Sequence, residues 1–354
     1  RIPVQNMAIV DAEGQIAWQL TGAITGRSPL ARHAIRPEQF SDLWEQAEGQ
    51  PANVISPENG RVWTANARVI STDDLMRYGD GGYSLGARQQ QIMMALMRQD
   101  SFTELDFYKL QLDNTAIFLA PWHNLLLSTL NNSPQKYAKD IEILTNWQAC
   151  ACADSIAYTL VRRFRSGVIN TLLAPINEEL RHYELSTSYL LRGIEPAVWR
   201  LLQEQAETWL ADDYSDYTEM LLASYDSTKK RLMQQHKATD SDYSSLAWGR
   251  VNAMRVKHPF SDQLSFMSEW LDMPSAKGFG DSYMPAVQSG SFGASQRLIV
   301  RPGNEDQAIL TIPGGQSGHF LSDFYRSGFD DYVKHANTPL LPGNEQHRLN
   351  FSPK

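Results

Sequence analysis

The chain has 354 residues, 42% of them hydrophobic, and its 40 acidic against 32 basic side chains give a formal charge of −8. Nine Trp, fourteen Tyr and thirteen Phe supply core material for about two domains, which excludes a disordered tail. The acidic balance leaves no footprint for nucleic acid, and no run of about 18 apolar residues would make a membrane span.

The chain opens Arg1-Ile2-Pro3, without a charged region and apolar core. Either an export signal has been removed or the sequence begins inside a precursor. Val4 to Asp11 and Gln15 to Leu20 read as two strands around the turn Ala12-Glu13-Gly14. Gly22 to Ser56 reads as a long surface loop with a short helix near Glu38–Ala47. Asn59-Gly60 marks a turn before Arg61–Ile70, whose Val-Trp-Thr-Ala-Asn-Ala-Arg-Val pattern predicts a third strand.

From Ala87 the period becomes helical. Ile156, Leu160, Val161, Phe164, Val168 and Ile169 share one face. Asn132-Ser133-Pro134 reads as a helix start capped by Ser133, and two further helices are expected over Ala197–Leu210 and Tyr217–His236. The basic cluster Arg162-Arg163-Phe164-Arg165 reads as a solvated or ion-paired helix face. Cys150 and Cys152 fall in a predicted helix, where i and i+2 side chains diverge; buried thiols are expected rather than a mutual disulfide. Arg297–Arg301 and Gln307–Ile312 predict a hairpin, and a last helix is expected near Ser322–His335. The fold class is α+β. Strand-rich parts at 1–86 and 273–354 are expected to meet in one sheet system, with a mainly helical region at 87–272.

Several motifs carry chemical alternatives. Gly82-Tyr83-Ser84-Leu85-Gly86 matches the nucleophile elbow of α/β-hydrolases, but a Gly-rich loop precedes it where the elbow needs a strand. Ser84 therefore reads as a loop serine. His182 with Glu178, Glu179 and Glu184 lacks metal-site spacing and reads as a solvated face. His258 reads as a loop histidine. In Gly315-Gln316-Ser317-Gly318-His319 the glycines suit a tight backbone approach between packed strands more than a Ser–His pair.

Taken together, several segments resemble the β chain of the penicillin acylase family. Asn6-Met7-Ala8-Ile9-Val10-Asp11 with Gly14-Gln15-Ile16 is similar to a strand pair of that chain. Gly60-Arg61-Val62-Trp63-Thr64-Ala65-Asn66 resembles the strand ending at the family's oxyanion asparagine, and Gly86-Ala87-Arg88-Gln89-Gln90-Gln91-Ile92 the start of a helix carrying its active-site arginine. Trp147-Gln148-Ala149 and Ala153-Asp154-Ser155 resemble a Trp-Asp-Gly and an Ala-Asp-Ser stretch. Gly293-Ala294-Ser295-Gln296-Arg297 and Pro313-Gly314-Gly315-Gln316-Ser317-Gly318, then Ser322 and Tyr325, resemble the closing segments.

The resemblance implies an N-terminal-nucleophile amide hydrolase with an αββα sandwich, carrying a large helical insertion. Its exported precursor cleaves itself to expose a serine whose own α-amine is the base. Asn66 is then the side-chain oxyanion donor, and Arg88 the cation that positions the nucleophile or substrate. Arg1 cannot serve as that nucleophile, so this chain alone is expected to be inactive. The partners implied are the α chain and amino-terminal part of the β chain, with a small acyl amide such as a β-lactam or acyl-homoserine lactone as substrate. The location implied is periplasmic or secreted. No cofactor is implied for catalysis; structural calcium fits the family, although only Asp80 lies near the right stretch. A non-catalytic ligand- or partner-binding fragment and a Ser84-based hydrolase are the alternatives.

Overall fold

The computed structural model describes residues 4–22, 52–79, 82–345 and 348–353, together with Arg36 and Glu38. It opens with β1 (Gln5–Val10) paired antiparallel to β2 (Ile16–Thr21), and β2 pairs in turn with β3 (Asn53–Ile55). Gly14, at φ +84°, closes the first turn in the region glycine enters without a steric penalty. The expected helix near Glu38–Ala47 lies outside the described residues, Glu38 apart. β3 falls inside the predicted loop.

Residues 61–70 do not form the expected strand. They pair with no ladder among the described residues, and Asn66 at φ +61° leaves the extended region midway. Helices α1 (Thr72–Tyr78), α2 (Ala87–Leu96) and α3 (Glu104–Gln111) follow; Ser71 caps α1 and a reciprocal Thr103–Asp106 box caps α3.

The helical core is built on α4 (Ala120–Leu130), α5 (Ala138–Thr145), α6 (Ile156–Leu172) and α9 (Tyr217–His236), with α7 (Ala174–Arg181) and α8 (Glu195–Glu204) beside them. Trp122, Leu126, Tyr158, Phe164, Val168 and Tyr225 are buried together. Each such side chain is worth about 1.5–3 kcal/mol of burial, which explains why the apolar stripe on α6 was readable from spacing. Gly167 lets α9 come close: a Cβ there would sit 2.2 Å from Thr228 Oγ1 and 3.2 Å from the Ser224 carbonyl.

Three expected helix boundaries are corrected. Ser133 starts a turn whose carbonyl accepts from Lys136 and Tyr137, and α5 begins only at Ala138. The helix expected over Ala197–Leu210 begins earlier, at Glu195, and stops at Gln205 in the left-handed region; a short 3-10 turn follows at Glu207–Trp209. After α10 (Trp248–Val251) and α11 (Ser268–Leu271), the last helix α12 is confined to Phe329–Val333, because Gly328 at φ +82° breaks the chain before it.

Cys150 and Cys152 form a disulfide, contrary to the expectation of buried thiols. The chain leaves α5 at Asn146, and Cys150 pairs with Thr115 in an isolated bridge. The backbone is therefore extended where a helix was expected, and the two Cα atoms lie 5.2 Å apart. Ala149 enters this bridge at φ +52°, and its carbonyl accepts from Ala116 N at 2.7 Å. It occupies the place of glycine in the Trp-Asp-Gly resemblance. Ala149→Gly is expected to raise stability by about 1 kcal/mol, because it removes the left-handed penalty on a Cβ. Urea unfolding of the two proteins measures this.

Strands β4 (Gln288–Ser289) and β5 (Phe292–Gly293) pair, as do β6 (Arg297–Ile299) and β7 (Ile309–Thr311), the latter as predicted. These pairs are separate sheets from β1–β2–β3 among the described residues, so the two ends do not share one ladder. They do meet across a cavity of about 460 Å³ walled by Val10, Ile16, Val62, Phe107, Ile299 and Pro302.

His335 packs beside β6 and α12, its ring 4.2 Å from that of Phe279. Burial first, and the charge of Arg297 second, pull its imidazole down to about 4. Because the unfolded chain takes up that proton near pH 6.5, this stability is fully present above pH 6.5 and lost as pH falls toward 4. A loss of order 1–2 kcal/mol is expected for this partly shielded ring. Melting curves at pH 7 and 4.5 should show a smaller acid loss in His335→Asn, a residue that tolerates the φ of +60° found there.

Candidate active site

Asn66 and Arg88 stand 22 residues apart in sequence and are brought into contact. Arg88, in the first turn of α2, donates from Nη2 to Asn66 Oδ1 at 2.6 Å and to the Ala65 carbonyl at 3.0 Å. The Asn66 carbonyl accepts from Ser84 N at 2.8 Å, so the loop before α2 is stitched to the same turn. Asparagine tolerates the left-handed backbone at this position better than any other residue with a long enough amide. A guanidinium has only donors, so the atom facing it must be the amide oxygen. The Nδ2 group then points the other way, and it has no acceptor among the described residues. Arg88 is partly shielded, and burial lowers the pKa of its guanidinium.

The turn is held from behind by Asn6 on β1, which donates to Thr64 Oγ1 at 3.0 Å and accepts from the indole N–H of Trp18. Asn6 opens a segment that resembles a family strand, but that resemblance assigns it no supporting role; the hint in sequence is that a buried indole N–H needs an acceptor. A cavity of about 250 Å³ lies alongside, walled by Trp18, Val62, Trp63, Val69 and Gln89.

The other motif residues do not converge on this turn. Ser84 contributes its backbone N–H, its side chain is exposed, and among the described residues it is α1, not a strand, that comes before its loop, so the elbow geometry is missing there. His319 Nδ1 accepts from Leu321 N and its own N–H donates to Ser317 Oγ, which makes that pair a local turn. Gly315 does need to be glycine: a Cβ there would fall 1.6 Å from the Phe324 carbonyl, an approach made by a loop and not by a strand. His258 Nδ1 accepts from Phe260 N. His182, Glu178, Glu179 and Glu184 are exposed around the end of α7. Among the described residues no group of three or more His, Cys, Asp and Glu could hold a metal ion, and Asp80 lies outside them.

The profile described as penicillin amidase matches residues 1–348. The chain belongs to the penicillin amidase family. This membership carries amide hydrolysis as its general chemistry. A solved structure, a thermostable penicillin G acylase from Alcaligenes faecalis, aligns with a TM-score of 0.57 at 12% identity, covering 98% of this chain and 67% of that one. At that identity the likeness speaks for the fold. No curated protein matches the chain. In this penicillin amidase chain no helix of the described residues is long and apolar enough to cross a membrane.

Proposed function

We propose that this chain is part of an acylase that hydrolyses the amide bond of N-acylated small molecules, with Asn66 as oxyanion donor and Arg88 as the residue that positions it. The contact between these two side chains carries the reading: they are the two residues the family resemblance singles out. In the proposed reaction a serine hydroxyl outside residues 1–354 attacks the acyl carbonyl. Its own α-amine, with an ordinary pKa near ~8, accepts the proton and passes it to the leaving amine as the C–N bond breaks. The Asn66 N–H donates to the tetrahedral oxyanion without adding a titratable charge, an interaction worth about 3–4 kcal/mol when preorganised.

The framework proposed is the αββα sandwich of N-terminal-nucleophile hydrolases, in a periplasmic or secreted protein processed from one precursor. β-Lactams and acyl-homoserine lactones are the substrate classes to test, the first prompted by the name of the structural relative. Intact mass and N-terminal sequencing of natively purified protein, with amide turnover on the same sample, test this. A companion species beginning with Ser, Thr or Cys, and amide turnover, are expected. Arg1 as the sole amino terminus together with no turnover would defeat the proposal.

A further inference from the structure

Gln89, Gln90 and Gln91 stand side by side in α2, and the fold treats them differently. Gln90 is exposed, Gln89 lines the cavity beside Trp18 and Trp63, and Gln91 is buried. Leu96 is the other buried residue of this helix. A buried amide is costly unless it is bonded. Here Gln91 Nε2 donates to Asp113 Oδ2 at 2.8 Å and to the Thr115 carbonyl at 3.2 Å.

These acceptors belong to a segment that is itself held on several sides. Asp113 Oδ1 accepts from Thr115 N at 2.9 Å, and the Asp113 carbonyl accepts from Ala286 N at 3.0 Å. Ala151 N donates to the Asn114 carbonyl at 2.9 Å, and Ala116 N to the Ala149 carbonyl at 2.7 Å. The stretch alongside is closed by the Cys150–Cys152 disulfide, and Ala116 belongs to the helical core.

Apolar packing is non-directional, so burial of Leu96 keeps α2 against the core but sets its rotation only loosely. Two hydrogen bonds from Gln91 to a fixed segment set both the rotation and the height of the helix. Arg88 lies three residues earlier on the same face, about 4.5 Å along the axis. Its guanidinium holds Asn66 Oδ1 and so sets the direction of the Asn66 amide N–H.

We infer that Gln91, held by Asp113, is a positioning residue for the oxyanion donor: it locks α2 in the register that brings Arg88 to Asn66. The inference rests on the acylase reading of Asn66.

The test is steady-state kinetics of the complete enzyme carrying Gln91→Met, alone and with Asn66→Gly, at a temperature where every variant is folded. Methionine keeps the unbranched shape of glutamine and removes the donor. kcat is expected to fall about 10–100-fold with KM unchanged, the cost of a misplaced catalytic group. Added to Asn66→Gly, the same change should cost no further kcat, because the group it positions is gone. Asp113→Ala, which removes the acceptor at a half-buried position, should behave alike and stands in if Gln91→Met does not fold. An unchanged kcat with a lowered melting temperature, or an equal loss of kcat in both backgrounds, would mean a role in folding alone and would overturn the inference. The side-chain NMR signal of Arg88 is followed in parallel. Hindered guanidinium rotation is expected in the parent, and free rotation in Gln91→Met. Were the parent inactive, or Asn66→Gly as active as the parent, the acylase reading would fail separately. The Arg88 signal would then decide whether Gln91 places Arg88, and a signal unchanged by Gln91→Met would overturn it.

Discussion

Asn66→Gly is expected to lower kcat of the complete enzyme by about 10²–10³-fold with little change in melting temperature, the size typical of losing one oxyanion donor. Glycine is the informative substitution here. Asn66 sits at φ +61°, so Asn66→Ala removes the amide and also leaves a Cβ in the left-handed region without the polar side chain that lets asparagine tolerate it. That variant should lose the same activity and, in addition, about 1 kcal/mol of stability. The two variants separate the chemical role of the side chain from its backbone role. Arg88→Ala should act through Asn66, since both hydrogen bonds its guanidinium makes among the described residues go to residues 65 and 66. Its effect on kcat should therefore be strongly non-additive with that of Asn66→Gly. Unchanged turnover in Asn66→Gly would take the residue out of the mechanism. Independent, additive losses would mean that Arg88 meets the substrate or nucleophile itself.

How much of this site can be read from sequence follows from which interactions are local. β1 and β2 were legible because a glycine turn and alternating flanks fix a hairpin within 20 residues. The buried face of α6 and the span of α9 were legible because helical spacing states burial directly. The segment 61–70 was misread because Val, Trp and Thr report suitability for a pleated surface and not the presence of a partner strand. The disulfide was misread for a related reason. A helix at Cys150 was extrapolated from its neighbours, whereas the Thr115 bridge that straightens it comes from 35 residues away. Asn66 and Arg88 were individually marked by resemblance, but their contact, and the orientation it imposes on the amide, exist only in three dimensions. The same holds for Asn6, whose role is to connect β1, Trp18 and Thr64.

Glu195→Leu should be the most destabilising of the single changes considered. Glu195 stands in the first turn of α8, where its carboxylate also faces the favourable end of the helix dipole. It is buried, and it accepts from Arg165 Nε at 3.0 Å, from Arg165 Nη2 at 2.5 Å and from Trp122 Nε1 at 2.5 Å. These bonds join α4, α6 and α8 at the centre of the core. Removing the carboxylate strands the Arg165 charge and the Trp122 N–H together in a dry interior. Among the described residues, the Tyr283 hydroxyl, at 3.0 Å, is the one hydrogen-bond acceptor left to Arg165, beside the faces of the Phe118 and Tyr283 rings. Breaking one side of such a pair costs about 3–5 kcal/mol, or on the order of 5–10 °C in melting temperature for a chain of this size. The pair as a whole is worth much less than that, because both charges were desolvated to make it. Arg165→Met combined with Glu195→Leu should therefore recover most of the loss, leaving the Trp122 donor as the residual deficit. If the double variant melts as low as Glu195→Leu alone, the penalty lies in repacking around α8 and not in an orphaned charge.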